Sequence, residues 1–305
     1  MAITAKDVAE LRAKTGISMI ECKKALTEAN GDMDEAIKLL REKGMAVADK
    51  KQARIAAEGI VSILADGNKA VMIEVNSETD FVAKNASFQE FVTGLLKTIL
   101  ETGVADVDAL LAAKFTGEDR TVDEVLKEKI FTIGEKLTIR RFTVVEGISS
   151  TYVHGGGTIG VIVTGNTETD NDDVHAILKN VALQVAAMEP EYLTRDEVPA
   201  NVVDEEKGII LEQMKNDPKM ANKPEKVLDG IVMGKIGKFF SKVCLLEQEY
   251  VKDEAMSVEK YVASAAKEAG VALSVKGFVM FKKGEGLQKR EENFAEEIAK
   301  LTGKQ

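Results

Sequence analysis

The sequence contains few residues whose types and spacing could support chemistry. Residues 155–160, Gly-Gly-Gly-Thr-Ile-Gly, match the spacing of a dinucleotide-binding fingerprint. That fingerprint requires a helix directly after the glycines, because the helix N-terminus holds the pyrophosphate. The β-branched run Val161–Val163 follows instead and predicts a strand. The glycines are therefore expected to form a turn between two strands, and an NAD-dependent enzyme is the weakest of three functional interpretations.

The histidines and cysteines form no pattern for catalysis or metal binding. His154 and His175 are the only histidines, and Cys22 and Cys244 are the only cysteines, in the 305 residues. No cysteine–histidine pair has a spacing that indicates an activated nucleophile. Two histidines are too few for a histidine-rich metal site. We therefore expect no cofactor, no metal ion and no enzymatic active site.

The strongest indication of function lies in the polar connection Asn76–Asn85. It follows the strand-like run Ala70–Val75 and precedes a helical pattern that opens at Ser87 with a Ser/Glu capping box. Within it, Phe81 is a large apolar residue among polar neighbours. One interpretation is that Phe81 packs under the following helix as a staple. The other is that it projects outward and anchors a partner protein.

Two stretches resemble the elongation factor Ts family. Residues 79–85, Thr-Asp-Phe-Val-Ala-Lys-Asn, follow a strand that ends in Glu-Val-Asn, as in the family signature. A second signature precedes it in the required order, and it consists of Leu11-Arg12, Thr15-Gly16, Cys22–Leu26 and Asn30–Asp32. The likeness continues to the C-terminus. It implies a non-enzymatic guanine-nucleotide exchange factor that binds GDP-bound and nucleotide-free elongation factor Tu during translation elongation.

The resemblance also implies which residues touch elongation factor Tu. A loop would push between two helices of the partner, displace Mg²⁺ beside the nucleotide and promote GDP release; it contains Thr79, Asp80, Phe81 and Val82. Further contacts would come from Leu11, Arg12, Met19, Ile20 and His154. The residues alone leave alternatives open. Met19 and Ile20 could be core at a helix start, His154 a polar residue at a turn, and Asp80 a cap for the loop's N–H groups.

The composition indicates a globular protein of the cytoplasm. Hydrophobic residues make up 45% and charged residues 30% of the chain, which is ordinary for soluble proteins. The 41 basic and 51 acidic residues give a net charge of −10, which argues against direct nucleic-acid binding. No apolar run approaches a membrane span, and no signal segment opens the chain. Two distant cysteines argue against a disulfide framework and favour a reducing compartment.

The patterning predicts an α+β fold in four parts. Residues 1–50 predict three short helices. The resemblance to the elongation factor Ts family implies that they form a three-helix module similar to ubiquitin-associated (UBA-like) domains. Residues 51–147 and 148–285 each read as a β-hairpin, a helix and a later strand, so we infer two similar α+β core subdomains. A helical hairpin at about 200–243 is inserted into the second, and residues 286–305 form a C-terminal helical module.

The N-terminal module is expected to be a separate, marginal unit. Thr4, Ser18 and Asp32 are the predicted caps of its three helices, and Gly44 is expected to end the third. The charged residues 49–54 lack an apolar stripe and predict a helical or extended linker. The expected module core comprises Val8, Leu11, Ile20, Ala25, Leu26, Ala36, Leu39 and Leu40.

A generic α+β protein-binding module, with helices that recognise ubiquitin-like partners, is the second interpretation.

The predicted helical hairpin has more apolar residues than a free arm needs, so they must pack on each other, on the core or on a partner. If the hairpin pairs two copies, the complex with elongation factor Tu would contain two copies of each protein.

Overall fold

The N-terminal module consists of three helices. The structure is a computed structural model that describes residues 3–217, 220 and 224–288. The helices are α1 (Ala5–Thr15), α2 (Met19–Glu28) and α3 (Met33–Lys51). The predicted caps are confirmed, because oxygens of the Thr4, Ser18 and Asp32 side chains accept hydrogen bonds from backbone N–H groups in the first turns.

Helix α3 differs from the expectation because it does not end at Gly44 and continues into the first half of the predicted linker. Gly44 lies inside the helix, which ends only at Lys51. Phe131 of a later helix packs on Gly44, where an added Cβ atom would lie 3.5 Å from the Cβ atom of Phe131. Ala48 is buried in the core of the following subdomain. The module is therefore packed on its neighbour and is not a separate unit.

The first subdomain is a three-stranded antiparallel sheet with helices on one face. Strands β1 (Glu58–Asp66), β2 (Lys69–Ser77) and β3 (Leu137–Glu146) pair in the order β1-β2-β3. The helices between β2 and β3 are α4 (Asp80–Ala83), α5 (Ala86–Thr102), α6 (Val107–Ala112) and α7 (Val122–Ile133). The predicted stripe of α5 is buried as expected and comprises Phe88, Phe91, Val92, Leu95, Leu96 and Ile99.

The predicted capping box at Ser87 is wrong. Helix α5 begins at Ala86, one residue before Ser87, and its cap is Asn85. The side-chain oxygen of Asn85 accepts a hydrogen bond from the Phe88 N–H at 3.2 Å. An Asn directly before the first turn is as good a cap as Ser, so the short-range pattern offered two caps and the upstream one is used.

The second subdomain repeats this order of elements. Strands β4 (Ser149–His154) and β5 (Ile159–Asn166) form a hairpin, and helix α8 (Asp172–Met188) follows. After the helical hairpin of α9 (Ala200–Lys215) and α10 (Glu225–Val243) come a ribbon of β6 (Glu249–Tyr250) and β7 (Asp253–Ser257), helix α11 (Val258–Ala269) and strand β8 (Ser274–Lys282). The sheet order β4-β5-β8 matches that of the first sheet. The predicted C-terminal helix, Asn293–Leu301, lies outside the described residues.

The two sheets lie face to face, with helices on their outer sides. Strand β2 is buried on both faces. Val71, Ile73 and Val75 pack on the helices of the first subdomain. Met72 faces the other way and packs with Ile162 of the second sheet. The apolar residues of β2 thus hold both subdomains together.

A buried carboxylate adds a polar connection between the subdomains. Glu74 of β2 is fully buried. Its oxygens accept hydrogen bonds from the Arg140 guanidinium at 2.9 Å, from the Arg141 guanidinium at 2.7 Å and from the Gly284 N–H at 2.7 Å. Burial raises the pKa of Glu74, but these hydrogen bonds outweigh it and hold the pKa below its ordinary value. The carboxylate is therefore charged and fully engaged at neutral pH.

The helical hairpin packs chiefly on itself. Ile210, Met214 and Ile236 form its own buried cluster. A second cluster at its base joins Val243 and Cys244 to Val198 before the hairpin. Both arms therefore start from one point on the second subdomain.

We predict that the outer part of the hairpin is dispensable for folding. Removing residues 208–238 and joining Lys207 to Phe239 by about four Gly and Ser residues keeps the base cluster and closes a short loop at low entropic cost. The shortened chain should keep a single cooperative thermal transition, followed by circular dichroism. A chain cut to 200–243, which also loses Val203 and Phe240 of the base, is the control and should be less stable. Loss of cooperativity in the 208–238 deletion would contradict this prediction.

The Glu74 cluster should make stability depend on pH. Because the folded-state pKa is lowered, the stabilisation is present above the ordinary carboxyl pKa of 4.5 and is lost as pH falls through the folded-state value. Glu74→Gln should lower the free energy of unfolding by about 3 kcal/mol at pH 7, since it leaves two guanidinium groups without their buried partner. The gap between variant and parent should narrow below about pH 4.5.

Urea titrations at pH 7 and at more acidic pH measure both effects. Glu146→Gln is the matched control, because Glu146 forms an exposed ion pair with Lys69 at 3.1 Å. An exposed pair of this kind contributes at most about 1 kcal/mol. A Glu74→Gln variant that keeps the parent's full dependence on pH would refute the assignment.

Candidate partner-binding site

The Phe81 loop, residues 78–85, connects β2 to α5 and contains the four-residue helix α4. Its two large apolar residues, Phe81 and Val82, point in opposite directions. Val82 is buried against the first subdomain's core, whereas the Phe81 side chain is 78% exposed. The interpretation of Phe81 as a staple under α5 is therefore wrong. Val82 anchors the short helix, and Phe81 is presented outward.

Hydrogen bonds from the turn after α7 hold the start of this loop. The N–H and the hydroxyl of Thr79 donate to the Glu135 carboxylate at 2.9 and 2.7 Å. The Ser77 hydroxyl donates to the Thr79 carbonyl at 2.8 Å. The Glu78 carboxylate accepts a hydrogen bond from the Lys136 N–H at 2.6 Å. These hydrogen bonds therefore fix the backbone that carries Phe81.

Asp80 does not cap the loop. Its carboxylate lies 3.2 Å from the Lys84 ammonium one helical turn later, and both side chains are more than half exposed. An exposed pair of this kind is weak, so Asp80 can exchange Lys84 for a donor on another molecule. Of the two roles left open by the sequence, direct contact with a partner fits the geometry.

Phe81 borders a cleft between the N-terminal module and α7. The module contributes Thr15 and Gly16 at the end of α1. Helix α7 contributes half-buried residues, among them Lys129 and Thr132. The first turn of α2, which begins three residues after Gly16, carries Met19 and Ile20. The structure thus places the end of α1 beside the Phe81 loop.

The predicted contact residues of the module divide into two sets. Arg12 is exposed, and Met19 and Ile20 have exposed fractions of 41% and 69%. The expectation that Ile20 belongs to the module core is wrong, because its side chain lies on the exposed side of α2. Leu11 is completely buried in the module core. As a contact residue Leu11 is therefore corrected to a core residue, and its neighbour Arg12 takes the surface.

His154 is exposed at the end of β4, where its Nδ1 lies 3.0 Å from the Tyr152 hydroxyl. The following glycines form the expected turn and lead into strand β5. Gly157 has φ of 101°, and an added Cβ atom would lie 2.8 Å from Ile60 of the first sheet. The Gly157 carbonyl also accepts a hydrogen bond from the Val61 N–H at 2.8 Å. Close contact between the two subdomains therefore explains Gly157.

Glu135 and Glu78 escaped the analysis of the sequence. Glu135 stands in the connection Gly134-Glu135-Lys136, which looks like any charged turn. Its partner Thr79 is 56 positions away along the chain. No local pattern reveals such a pair, because only the antiparallel pairing of β2 with β3 brings the two turns together.

An exposed aromatic side chain on a fixed loop, with further exposed apolar residues on a neighbouring module, defines a protein-binding site. Within the described ranges, no three or more His, Cys, Asp or Glu side chains are grouped so that they could hold a metal ion. Across the same residues, no helix is both long and apolar enough to cross a bilayer.

Comparison with known proteins agrees with this class. A family model described as elongation factor TS matches residues 78–285. Elongation factor Ts of Syntrophotalea carbinolica is 47% identical over 306 residues, which cover 99% of this chain and 100% of the relative. The proteins of that name from Clostridium botulinum and Magnetococcus marinus are 44% and 43% identical, and each alignment covers 99% of this chain and at least 99% of the relative.

The chain belongs to the elongation factor Ts family. It is a guanine-nucleotide exchange factor for elongation factor Tu in translation elongation. Of the three functional interpretations of the sequence, the exchange factor for elongation factor Tu is therefore confirmed.

Proposed function

We propose that the Phe81 loop brings about nucleotide release by displacing Mg²⁺ from the nucleotide site of elongation factor Tu. The observation that supports this proposal is the 78% exposure of Phe81 on a loop fixed by Glu135. Phe81 is large, rigid and apolar, so burial between two helices of the partner would contribute roughly 1.5–3 kcal/mol. The protein itself supplies no reaction and holds no cofactor in this proposal.

The proposed mechanism is a competition between the exchange factor and the nucleotide. Mg²⁺ bridges the nucleotide phosphates to the protein and offsets their charge. If Phe81 moves the ligands of that ion, GDP loses part of its binding free energy. By linkage, GDP weakens the binding of the exchange factor by the same factor. A coupling of about 3 kcal/mol corresponds to roughly 150-fold in affinity.

The loop residues have different parts in this proposal. Phe81 and Asp80 touch the partner, because both side chains are exposed. Thr79 and Val82 support the loop and do not touch the partner, since Thr79 is hydrogen-bonded to Glu135 and Val82 is buried. His154 offers a second contact at an exposed turn.

The N-terminal module supplies affinity in this proposal, through the exposed side chains of Arg12, Met19 and Ile20. We place the protein in the cytoplasm because its proposed partner acts in translation. An assembly with two copies of each protein stays a prediction of the sequence. Exposed apolar residues of the first hairpin helix, Ile209 and Leu211, offer a surface for it.

Phe81→Ala should fold normally and release GDP slowly. An exposed side chain leaves no cavity when it is truncated, so the melting temperature should stay within about 2 °C of the parent. The maximal rate of GDP release should fall at least tenfold, because a hot-spot truncation of about 2 kcal/mol exceeds the 1.4 kcal/mol that tenfold requires. Stopped-flow release of fluorescent GDP from purified elongation factor Tu measures the rate.

Met233→Ala is the matched control, because the Met233 side chain is 76% exposed on the helical hairpin. It removes a similarly exposed apolar side chain away from the Phe81 loop and should leave the maximal rate unchanged. Normal release by Phe81→Ala would remove Phe81 from the mechanism. A large drop in its melting temperature would show that Phe81 has a structural role.

Arg12→Ala combined with Met19→Ala should weaken binding without slowing the exchange step. Both side chains are exposed and neither belongs to the module core. The concentration for half-maximal exchange should rise about tenfold, whereas the plateau rate should fall less than twofold. Titrations of the factor against a fixed amount of elongation factor Tu–GDP separate the two. A collapsed plateau with an unchanged midpoint would count against this role of the module.

A further inference from the structure

The turn after α7, residues 134–136, contacts the Phe81 loop through two consecutive residues. The two oxygens of Glu135 accept one hydrogen bond each from Thr79, at 2.9 Å from its N–H and at 2.7 Å from its hydroxyl. Next to it, the Lys136 N–H donates to Glu78 at 2.6 Å. Thr79 directly precedes helix α4, so the direction of this helix depends on how Thr79 is held.

The opposite side of the same turn is bonded to the end of α3. The Lys51 ammonium donates to the Gly134 carbonyl. The Lys136 ammonium donates to the Gln52 and Arg54 carbonyls at 2.6 and 2.9 Å. Since α3 continues unbroken from the N-terminal module, the turn connects the module with the Phe81 loop. Any rotation of the loop therefore works against hydrogen bonds on both sides of the turn.

We infer that Glu135 is a positioning residue for nucleotide exchange: it fixes Thr79 and thereby keeps Phe81 pointing outward. The inference rests on the proposed role of Phe81. Two hydrogen bonds from one residue to a carboxylate are strong and directional. The helix behind them has only four residues, which is too short to hold its own direction. Without Glu135, Thr79 would lose both acceptors, and the burial of Val82 with the remaining hydrogen bonds of Ser77 and Glu78 would hold α4 less firmly. Phe81 would then sample orientations that do not fit the partner.

Glu135→Ala should therefore lower the maximal rate of GDP release about tenfold, with little change in the concentration for half-maximal exchange. Glu135→Gln should keep most of the rate. Its amide oxygen can accept from the Thr79 N–H while its amino group donates to the Thr79 hydroxyl. Thr79→Val removes only the hydroxyl's hydrogen bond and should cost about threefold. Glu146→Ala, which removes an exposed ion pair at the far end of β3, should have no effect.

A double-mutant cycle separates positioning from a general loss of structure. In a Phe81→Ala background, adding Glu135→Ala should change the rate little, because the carboxylate acts through the missing ring. A purely structural role predicts that the two losses multiply. Amide hydrogen exchange gives a readout independent of activity, since the Thr79 amide should exchange faster in Glu135→Ala at an unchanged global melting temperature.

The outcomes distinguish this inference from the proposed function. If Phe81→Ala is slow and Glu135→Ala is as fast as the parent, the positioning role is overturned and the function of Phe81 stands. If Phe81→Ala is fast, the proposed function fails, and a slow Glu135→Ala would then overturn the route through Phe81. If Glu135→Ala does not fold, Thr79→Val and Glu135→Gln still decide, because equal losses in both would contradict the assigned hydrogen bonds.

Discussion

The buried carboxylate of Glu74 is the interaction on which the arrangement of the two subdomains depends. A buried charge is costly unless it is paired and hydrogen-bonded. Glu74 meets this requirement because Asn76 of its own strand, Arg140 and Arg141 of β3, and the Gly284 N–H in the turn after β8 all donate to it. The carboxylate therefore requires both subdomains in one relative position. Apolar packing between the sheets, by contrast, would tolerate small shifts.

Strand β2 carries this constraint directly to the functional loop. Glu74 lies three residues before Ser77, where the strand ends and the Phe81 loop starts. The Arg141 guanidinium also stacks on the Phe281 ring of β8, at 4.2 Å from the ring centre. The loop is thus attached to the most constrained strand of the molecule. In the proposed function, Phe81 inserts between two helices of the partner and displaces a metal ion. This requires that the strand supporting Phe81 does not move, and attachment to β2 meets that requirement.

The sequence predicts most elements because their signals are local. Periodic apolar residues identify α5, and Asp66-Gly67-Asn68 identifies the first hairpin. The short ribbon of β6 and β7 was not predicted, since strands of two and five residues give little pattern. The extent of α3 was missed because Gly44 is an unfavourable helix residue. Packing of Phe131 on that glycine compensates, and this contact is long-range.

The candidate site shows the same division. The composition of the Phe81 loop could be read from the sequence, but the direction of its side chains could not. In a helix of four residues, no apolar position recurs one turn later, so periodicity cannot assign Phe81 or Val82 to the core. The direction of the two side chains is set by residues outside the loop, through the hydrogen bonds of Glu135 and the core around Val82. Leu11 and Ile20 illustrate the converse, because family likeness marks both as contacts while burial separates them.

The unbroken helix α3 changes how the N-terminal module can act. A module on a flexible linker would raise only the effective concentration of the loop near the partner. Here α3 packs on Phe131 of α7 and ends against the turn that holds Thr79. The proposed contacts of Met19 and Phe81 with the partner are therefore held at one fixed separation. A partner that binds the module must accept Phe81 at a single place, which makes the energy of docking available for moving the partner's own residues.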